Sequence, residues 1–112
     1  MDKQSINIMG VTYTIDYVNR YGDVDIEERR TDLLGQIEHM SRSIRIFNNS
    51  KVENQKEYKF FLLLHEMLHG ISWCANIECL SGDENEKIVD TLATVLADTL
   101  VRNGMIKEEW LK

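Results

Sequence analysis

The feature that most constrains this chain is a pair of histidines four residues apart, His65 and His69, inside its most apolar stretch. Residues four apart lie on the same face of an α-helix, so the two imidazoles converge on one point. Neutral imidazole nitrogens suit a zinc ion, and Glu66, one step round the helix, can reach a metal-bound water as its general base. The pattern H-E-x-x-H therefore predicts a helical metal site with a carboxylate beside it.

The surroundings of the motif favour a metal site over two core histidines that are satisfied by hydrogen bonds. A short motif always carries false positives. Two histidines and a glutamate buried in an apolar helix are costly without partners, however, and a metal supplies those partners. The apolar neighbours are Phe60, Phe61, Leu62, Leu63, Leu64, Met67, Leu68 and Ile71.

Length and charge narrow the class of protein. A chain of 112 residues predicts a single domain, residues 1–112, with a modest core. The net charge of −6 and the absence of a basic run argue against a nucleic-acid partner. No signal-peptide pattern is present and the longest wholly apolar run, residues 60–64, is too short for a bilayer. We therefore expect a cytoplasmic protein with no membrane partner and with Cys74 and Cys79 reduced, while nothing fixes an oligomeric state.

Alternating apolar and polar residues predict two β-hairpins before the motif. The first spans residues 5–18 and turns at Met9 and Gly10, and the second spans residues 33–47 and turns at residues 40–42. The charged stretch between them, residues 19–32, predicts a solvated connection with a short helical turn. A hairpin directly before the motif helix can offer an edge strand beside the metal, with which an extended peptide can pair.

Two capping boxes of the form S-x-x-E predict where the helices begin. The first, at residues 50–53, opens a helix that runs to about Trp73 and forms the buried centre of the fold. The second, at residues 81–84, opens a helix that ends at Asn103, where Gly104 is the expected stop. The tail residues Trp110 and Leu111 are expected to dock on the body.

The second helix supplies the candidates for a third metal ligand. Glu86, Asp90, Ala93 and Ala97 share one stripe, and small alanines would let the helix approach the motif helix closely. A catalytic zinc takes three protein ligands and keeps one open position, so we favour Glu86, in the second turn of the predicted helix, as the third ligand. Asp90 is either the alternative ligand or an acceptor that fixes a histidine tautomer. A third possibility is that Cys79 closes a structural site, and a fourth is that the carboxylates only favour the helix N-terminus.

His39, the third histidine, lies at the end of the first strand of the second hairpin. It could be a metal ligand, a group that steadies a reaction intermediate, or a surface residue at a turn. The surface role is favoured, because a lone histidine on a strand rarely carries chemistry.

The motifs in combination resemble those of the ImmA/IrrE-type zinc metallopeptidases. The segment from His65 to His69, followed by E-K-I-V-D-T-L-A at residues 86–93, is similar to the H-E-x-x-H and E-x-x-A-D/N-x-F-A signatures of that family. Val89 and Leu92 replace the preferred Ala and Phe, and the extra regions of longer members are missing. The resemblance, over most of residues 6–103, implies a minimal zincin-like α+β fold, with a small antiparallel-rich sheet packed on the motif helix and a second long helix toward the C-terminus.

The resemblance also implies a set of roles: His65, His69 and Glu86 as ligands to Zn²⁺ and Glu66 as the catalytic base. Better-known members cleave repressor proteins. The expected function is therefore a zinc-dependent metalloendopeptidase that acts on a protein or peptide substrate. The alternative is a non-catalytic zinc-binding phage regulatory module on the same scaffold, since no oxyanion-stabilising residue is evident from spacing alone.

Overall fold

The computed structural model of the protein describes residues 4–25, 34–48, 55–80 and 82–111. Within these ranges the chain forms one four-stranded sheet and two α-helices. The elements are β1 (Gln4–Ile8), β2 (Val11–Val18), β3 (Gly35–Glu38), β4 (Ser43–Phe47), α1 (Gln55–Ala75) and α2 (Glu86–Arg102), with short 3-10 turns at Tyr21–Asp23, Glu78–Leu80, Asp83–Asn85 and Glu108–Leu111. The predicted α+β class is confirmed.

Both predicted hairpins are present, and they are joined side by side into the order β1-β2-β4-β3. Each hairpin is antiparallel, whereas the two central strands β2 and β4 run parallel, with Ile15 opposite Ile44. The first hairpin turns through Met9 at φ 51° and Gly10 at φ 88°, the left-handed pair that matches the twist of antiparallel strands. The sheet is therefore antiparallel-rich as expected, with β3 at one edge.

Helix α1 lies across one face of this sheet and forms the main core with it. Tyr13, Ile15, Ile44 and Ile46 from the central strands are 0–1% exposed, and Leu63 of α1 is equally buried. The helix and the sheet are in close contact at Gly70, where a methyl group would stand only 2.8 Å from Cδ1 of Ile8 and 3.0 Å from Cδ1 of Ile37. The glycine next to His69 therefore lets the sheet pack directly beneath the motif.

Helix α2 packs on α1 through its small residues. Val89, Ala93 and Ala97 are buried at intervals of four residues and contact Phe60, Leu64 and Leu68 of α1 within shared apolar clusters. The alanine stripe thus brings the two helices together as predicted. Trp110 and Leu111 also pack against the core, which confirms the expected docking of the tail.

The predicted start of α2 is wrong by about five residues. Gly82 adopts a left-handed φ of 82°, a 3-10 turn follows at Asp83–Asn85, and the α-helix begins only at Glu86. A residue with positive φ cannot be part of a right-handed helix, so the capping-box pattern is overridden there. The helix ends at Arg102 with Gly104 in the left-handed region, as expected for a C-terminal stop. The other capping box, at residues 50–53, lies outside the described residues.

The described part of the charged connection, residues 19–25, contains the predicted helical turn, Tyr21–Asp23, but it is not simply solvated. Residues 26–32 of this connection lie outside the described residues. Val24 is 0% exposed and Asp25 is 5% exposed. The amide of Gln36 donates to Oδ1 of Asp25 at 3.0 Å, and Arg45 donates to the backbone carbonyl of Asp23 at 2.9 Å. Gln36 and Arg45 are cross-strand partners in the sheet, so this segment covers part of β3 and β4.

Candidate metal centre

The two motif histidines and Glu86 converge on one point between the helices. The Nε2 atoms of His65 and His69 lie 3.2 Å apart. Oxygens of the Glu86 carboxylate lie 2.6 Å from Nε2 of His65 and 3.1 and 3.3 Å from Nε2 of His69. One ligand atom from each residue falls within 4.8 Å of the others, so the three side chains could hold a metal ion together.

The spacing of these atoms fits a tetrahedral ion. Ligand atoms at about 2.0–2.1 Å from a tetrahedral zinc lie about 3.3 Å from one another. The separation of the two imidazole nitrogens and the two distances from Glu86 to His69 are 3.1 to 3.3 Å, close to that value. The distance from Nε2 of His65 to the Glu86 carboxylate is shorter, at 2.6 Å, which is a hydrogen-bond distance. The donor set is two nitrogens and one carboxylate oxygen, a recognised zinc ligand set.

Helix periodicity and helix packing determine the positions of the three candidate ligands. His65 and His69 are four residues apart on α1 and therefore share a face. Glu86 is the first residue of α2, in its first turn and not in its second, and the packing of Ala93 and Ala97 against α1 holds that end of the helix beside the histidines. Partial burial tends to raise the pKa of Glu86, but the hydrogen bonds and charges of His65 and His69 outweigh burial and lower this pKa.

The structure distinguishes among the candidates for the third ligand. Oδ1 of Asp90 lies 3.3 Å from Nδ1 of His65, the ring nitrogen that does not face Glu86, so Asp90 occupies the position of an acceptor that fixes the tautomer. Cys79 is exposed and is not among the three residues that could share an ion. Neither is His39. Of the residues considered, Glu86 is the one that the fold groups with His65 and His69.

Glu66 lies beside the ligands but is buried from solvent. Its residue exposure is 7%, and β3 passes so close that a methyl group at Gly35 would stand 2.9 Å from its Oε2 atom. Burial and the negative charge of Glu86 raise the pKa of Glu66 to about 8. A cation held by the neighbouring ligands would favour the charged carboxylate and so oppose both effects. The site thus pairs an ion-binding group with a carboxylate that can accept a proton.

A cleft of about 400 Å³ opens onto these groups. Glu66, His69 and Glu86 line it from the helices, and the strand residues Gly35–Ile37 line it from the edge of the sheet. In the part of the chain that the structure describes, β3 pairs with β4 alone. The backbone of an edge strand therefore runs along the wall of the cleft, as the hairpin pattern predicted.

His39, the residue directly after β3, also lines this cleft. Its ring stacks on that of Trp73, with centroids 4.5 Å apart and planes 6° from parallel, and its Nδ1 atom lies 3.2 Å from the hydroxyl of Tyr13. Its side chain therefore has partners that a residue on a free surface turn would lack.

Sequence reasoning assigned no role to Tyr13 or Trp73, although a signal for Trp73 existed. Trp73 follows His69 by four residues, so it continues the face of α1 that carries the histidines. Tyr13 points inward in the alternating pattern of β2, but its contact with His39 joins β2 to the turn after β3, and β2 and β3 are not neighbours in the sheet. No local pattern encodes that contact.

The chemistry of the site can be stated from these distances alone. Two imidazoles and a carboxylate can hold a divalent ion, and a separate buried carboxylate adjoins them in a cleft bounded by an edge strand. No helix among the described residues has the length and apolar character needed to cross a bilayer. No protein-family model, no curated protein and no solved structure matches this chain.

Proposed function

We propose that this protein is a zinc-dependent endopeptidase. The observation that carries the proposal is the position of Glu66, a buried carboxylate that opens on the same cleft as the ligand group. A site that only stabilised the fold would have no need of a second acid that lies outside the ligand set. Hydrolysis requires one, because the attacking water must lose a proton and the leaving amine must gain one.

Zinc is favoured over other divalent ions by the donor set. Magnesium and calcium prefer sites made of oxygen atoms only, whereas two imidazole nitrogens with one carboxylate are typical of hydrolytic zinc sites. When bound, zinc supplies a Lewis acid that makes a water molecule acidic near neutral pH and polarises a carbonyl group.

Glu66 carries the proton transfers. As the base it takes a proton from the water that attacks the carbonyl carbon, and the new carbon–oxygen bond forms. It then delivers this proton to the amine nitrogen as the carbon–nitrogen bond breaks. Its close packing against Gly35 keeps the carboxylate in one position, which favours both transfers.

The substrate class follows from the wall of the cleft. An extended peptide can add to β3, the strand at the edge of the described sheet, by backbone hydrogen bonds, which would carry one of its peptide groups past the ligand group. Recognition of this kind needs an unfolded or loop segment and depends little on folded shape. A protein with an exposed extended segment, such as a regulatory or repressor protein, is the proposed substrate.

The resemblance to ImmA/IrrE-type peptidases supports the same function. The ligands and base that the resemblance implies, His65, His69, Glu86 and Glu66, are the residues that converge in space. His69 and Glu86, which belong to the two signatures, lie seventeen residues apart along the chain and 3.3 Å apart in space.

The test is cleavage of a mixed peptide library by the zinc-loaded protein, with products identified by mass spectrometry. The Glu66→Gln variant is expected to bind one zinc and to cleave about 10²- to 10⁴-fold more slowly. The control is Glu78→Gln, which makes the same chemical change at an exposed position on the Glu78–Leu80 turn. Equal cleavage by the wild type and by Glu66→Gln would contradict the role of Glu66 as the base. No cleavage by either protein would leave a zinc-binding interaction module as the function.

A further inference from the structure

His39, which lines the cleft, belongs to a small group of side chains that lies outside the candidate ligand set. The hydroxyl of Tyr13 lies 3.2 Å from Nδ1 of His39, and the Cys74 thiol is near enough to raise the pKa of this hydroxyl. Tyr13 is 0% exposed, so its hydroxyl has no access to solvent. These contacts join β2, the turn after β3 and the last part of α1, and they determine which nitrogen of His39 carries its proton.

Two arrangements of protons satisfy the group. In the first, Tyr13 donates to Nδ1 of His39 and the Cys74 thiol donates to Tyr13. In the second, Nδ1–H donates to Tyr13 and Tyr13 donates to the Cys74 sulfur. A phenol donates more strongly to an imidazole nitrogen than to sulfur, which is a weak acceptor, so the first arrangement is favoured. The proton of neutral His39 then resides on Nε2.

The imidazole is also held in its neutral form and in a fixed plane. Burial lowers the pKa of His39; the nearby Glu38 carboxylate opposes this shift and His69 reinforces it. The pKa of Tyr13 is raised by burial and by Cys74, so the phenol keeps its proton. Stacking on Trp73 fixes the plane of the ring. Because Nδ1 is used by Tyr13, Nε2 is the nitrogen left for the cleft that His39 lines.

We propose that His39 donates a hydrogen bond from Nε2–H to the carbonyl oxygen of a peptide bound in the cleft, and that Tyr13 is the positioning residue that holds His39 in this tautomer. The inference rests on the proposed peptidase function. As water adds to the carbonyl carbon, that oxygen gains negative charge, and a donor already in place stabilises the charge without reorganisation. Aligned donors of this kind contribute about 10²- to 10³-fold to the rate.

The first test needs no substrate. Nitrogen-15 NMR of the imidazole should show a proton on Nε2 of His39 and none on Nδ1. Tyr13→Phe removes the donor and should allow both tautomers, whereas Cys74→Ala, the control, should leave the Nε2–H form in place. A wild-type protein with the proton on Nδ1 would overturn the assignment.

The second test measures anion binding and turnover with the zinc-loaded protein. Inorganic phosphate serves as a tetrahedral, negatively charged probe in calorimetry. His39→Leu should weaken phosphate binding about tenfold and lower kcat about 10²-fold with little change in KM, at unchanged zinc content. His39→Gln, which keeps an N–H donor, should recover a measurable part of the phosphate affinity and of kcat. Circular dichroism establishes whether the variants are folded. If His39→Leu is not folded, Tyr13→Phe provides an independent test of the same donor role.

The outcomes separate this inference from the peptidase proposal. Unchanged phosphate binding and unchanged kcat in His39→Leu would overturn the donor role while leaving the peptidase standing. A wild-type protein that cleaves no peptide, but whose phosphate binding still depends on His39, would overturn the peptidase and leave the anion-donor role of His39 intact.

Discussion

Asp90 and His65 meet across the two helices: Oδ1 of Asp90 lies 3.3 Å from Nδ1 of His65, one helical turn beyond Glu86. The opposite nitrogen of the same ring lies 2.6 Å from Glu86. An acceptor at Nδ1 keeps the proton there and leaves the lone pair of Nε2 for the ion. The carboxylate of Asp90 is therefore placed where it would prepare His65 to bind an ion without binding the ion itself.

Replacing Asp90 should weaken metal binding. We expect Asp90→Ala to raise the zinc Kd about 10- to 100-fold, because His65 loses the partner that fixes its tautomer and orientation. Competition with a chromogenic chelator measures this Kd. The matched control is Asp98→Ala on the same helix, whose carboxylate is equally exposed, at 58%, and pairs with Arg102 instead. Equal zinc affinity in the two variants would exclude the proposed role of Asp90.

Gly35 should be essential for the position of Glu66. Alanine at this position places a methyl group 2.9 Å from Oε2 of Glu66, so the carboxylate must move. A displacement of about 1 Å in a reacting group lowers the rate about 10²-fold. We expect Gly35→Ala to lower kcat by that order while zinc content and thermal stability stay near those of the wild type. A variant that has lost zinc would show instead that Gly35 is required for the ligand group as a whole.

The packing of α1 on the sheet predicts an unusual response at Gly70. Alanine in place of glycine normally stabilises a helix by about 1 kcal/mol. Here the added methyl group meets Ile8 at 2.8 Å and Ile37 at 3.0 Å, and overpacking of a core costs about 1–3 kcal/mol. The two effects together predict a net loss of about 0–2 kcal/mol in the free energy of unfolding, in place of the usual gain, measured by urea denaturation.

A double-mutant cycle can identify the cause of this loss. Ile8→Val removes Cδ1, the atom that lies closest to the added methyl group. Gly70→Ala should therefore cost at least about 0.5 kcal/mol less in the Ile8→Val background than in the wild type. Strict additivity of the two substitutions would mean that steric crowding at Ile8 is not the cause.

The protonation of His39 predicts a pH dependence of stability. Burial lowers the pKa of His39 below its ordinary value of 6.5, so the folded protein binds this proton less readily than the unfolded chain does. The contribution of neutral His39 is complete above pH 6.5 and is lost as the pH falls through the lowered pKa.

This contribution can be isolated by comparison with His39→Gln, in chelator so that metal binding does not interfere. The wild type should lose stability relative to the variant between pH 7.5 and 5.5, with a slope of at most about 1.4 kcal/mol per pH unit. Urea denaturation at each pH gives the difference. Parallel curves for the two proteins would show that His39 titrates alike in the folded and unfolded states.

The predictable parts of the site are those that depend on local periodicity. The spacing of His65 and His69 places them on one helical face whatever the rest of the chain does. Glu86 could be predicted as a candidate ligand because the alanine stripe of its helix indicated that this helix packs closely on the motif helix. Ala93 and Ala97 are indeed buried against α1. The hairpins followed from alternation and from the turn at Met9 and Gly10.

The remaining features depend on contacts between distant segments. The parallel pairing of β2 with β4 joins two hairpins, and nothing in either hairpin alone determines it. The left-handed Gly82 delays the start of α2 despite a capping box, so Glu86 opens the helix. The contacts of His39 with Tyr13 and Trp73 bring three separate elements together, which a search for local motifs does not detect.

The division of the ligands between two helices has a consequence for folding. Helix α1 supplies two donors and α2 supplies the third, so an ion bound at this point would tie the helices together and close the segment between His69 and Glu86 into a ring. An ion that binds the folded chain and not the unfolded one would stabilise the fold reversibly, by an amount that grows with the logarithm of the free metal concentration. The metal supply would then govern how long α2 stays docked, and so would set the lifetime of the folded protein as well as its chemistry.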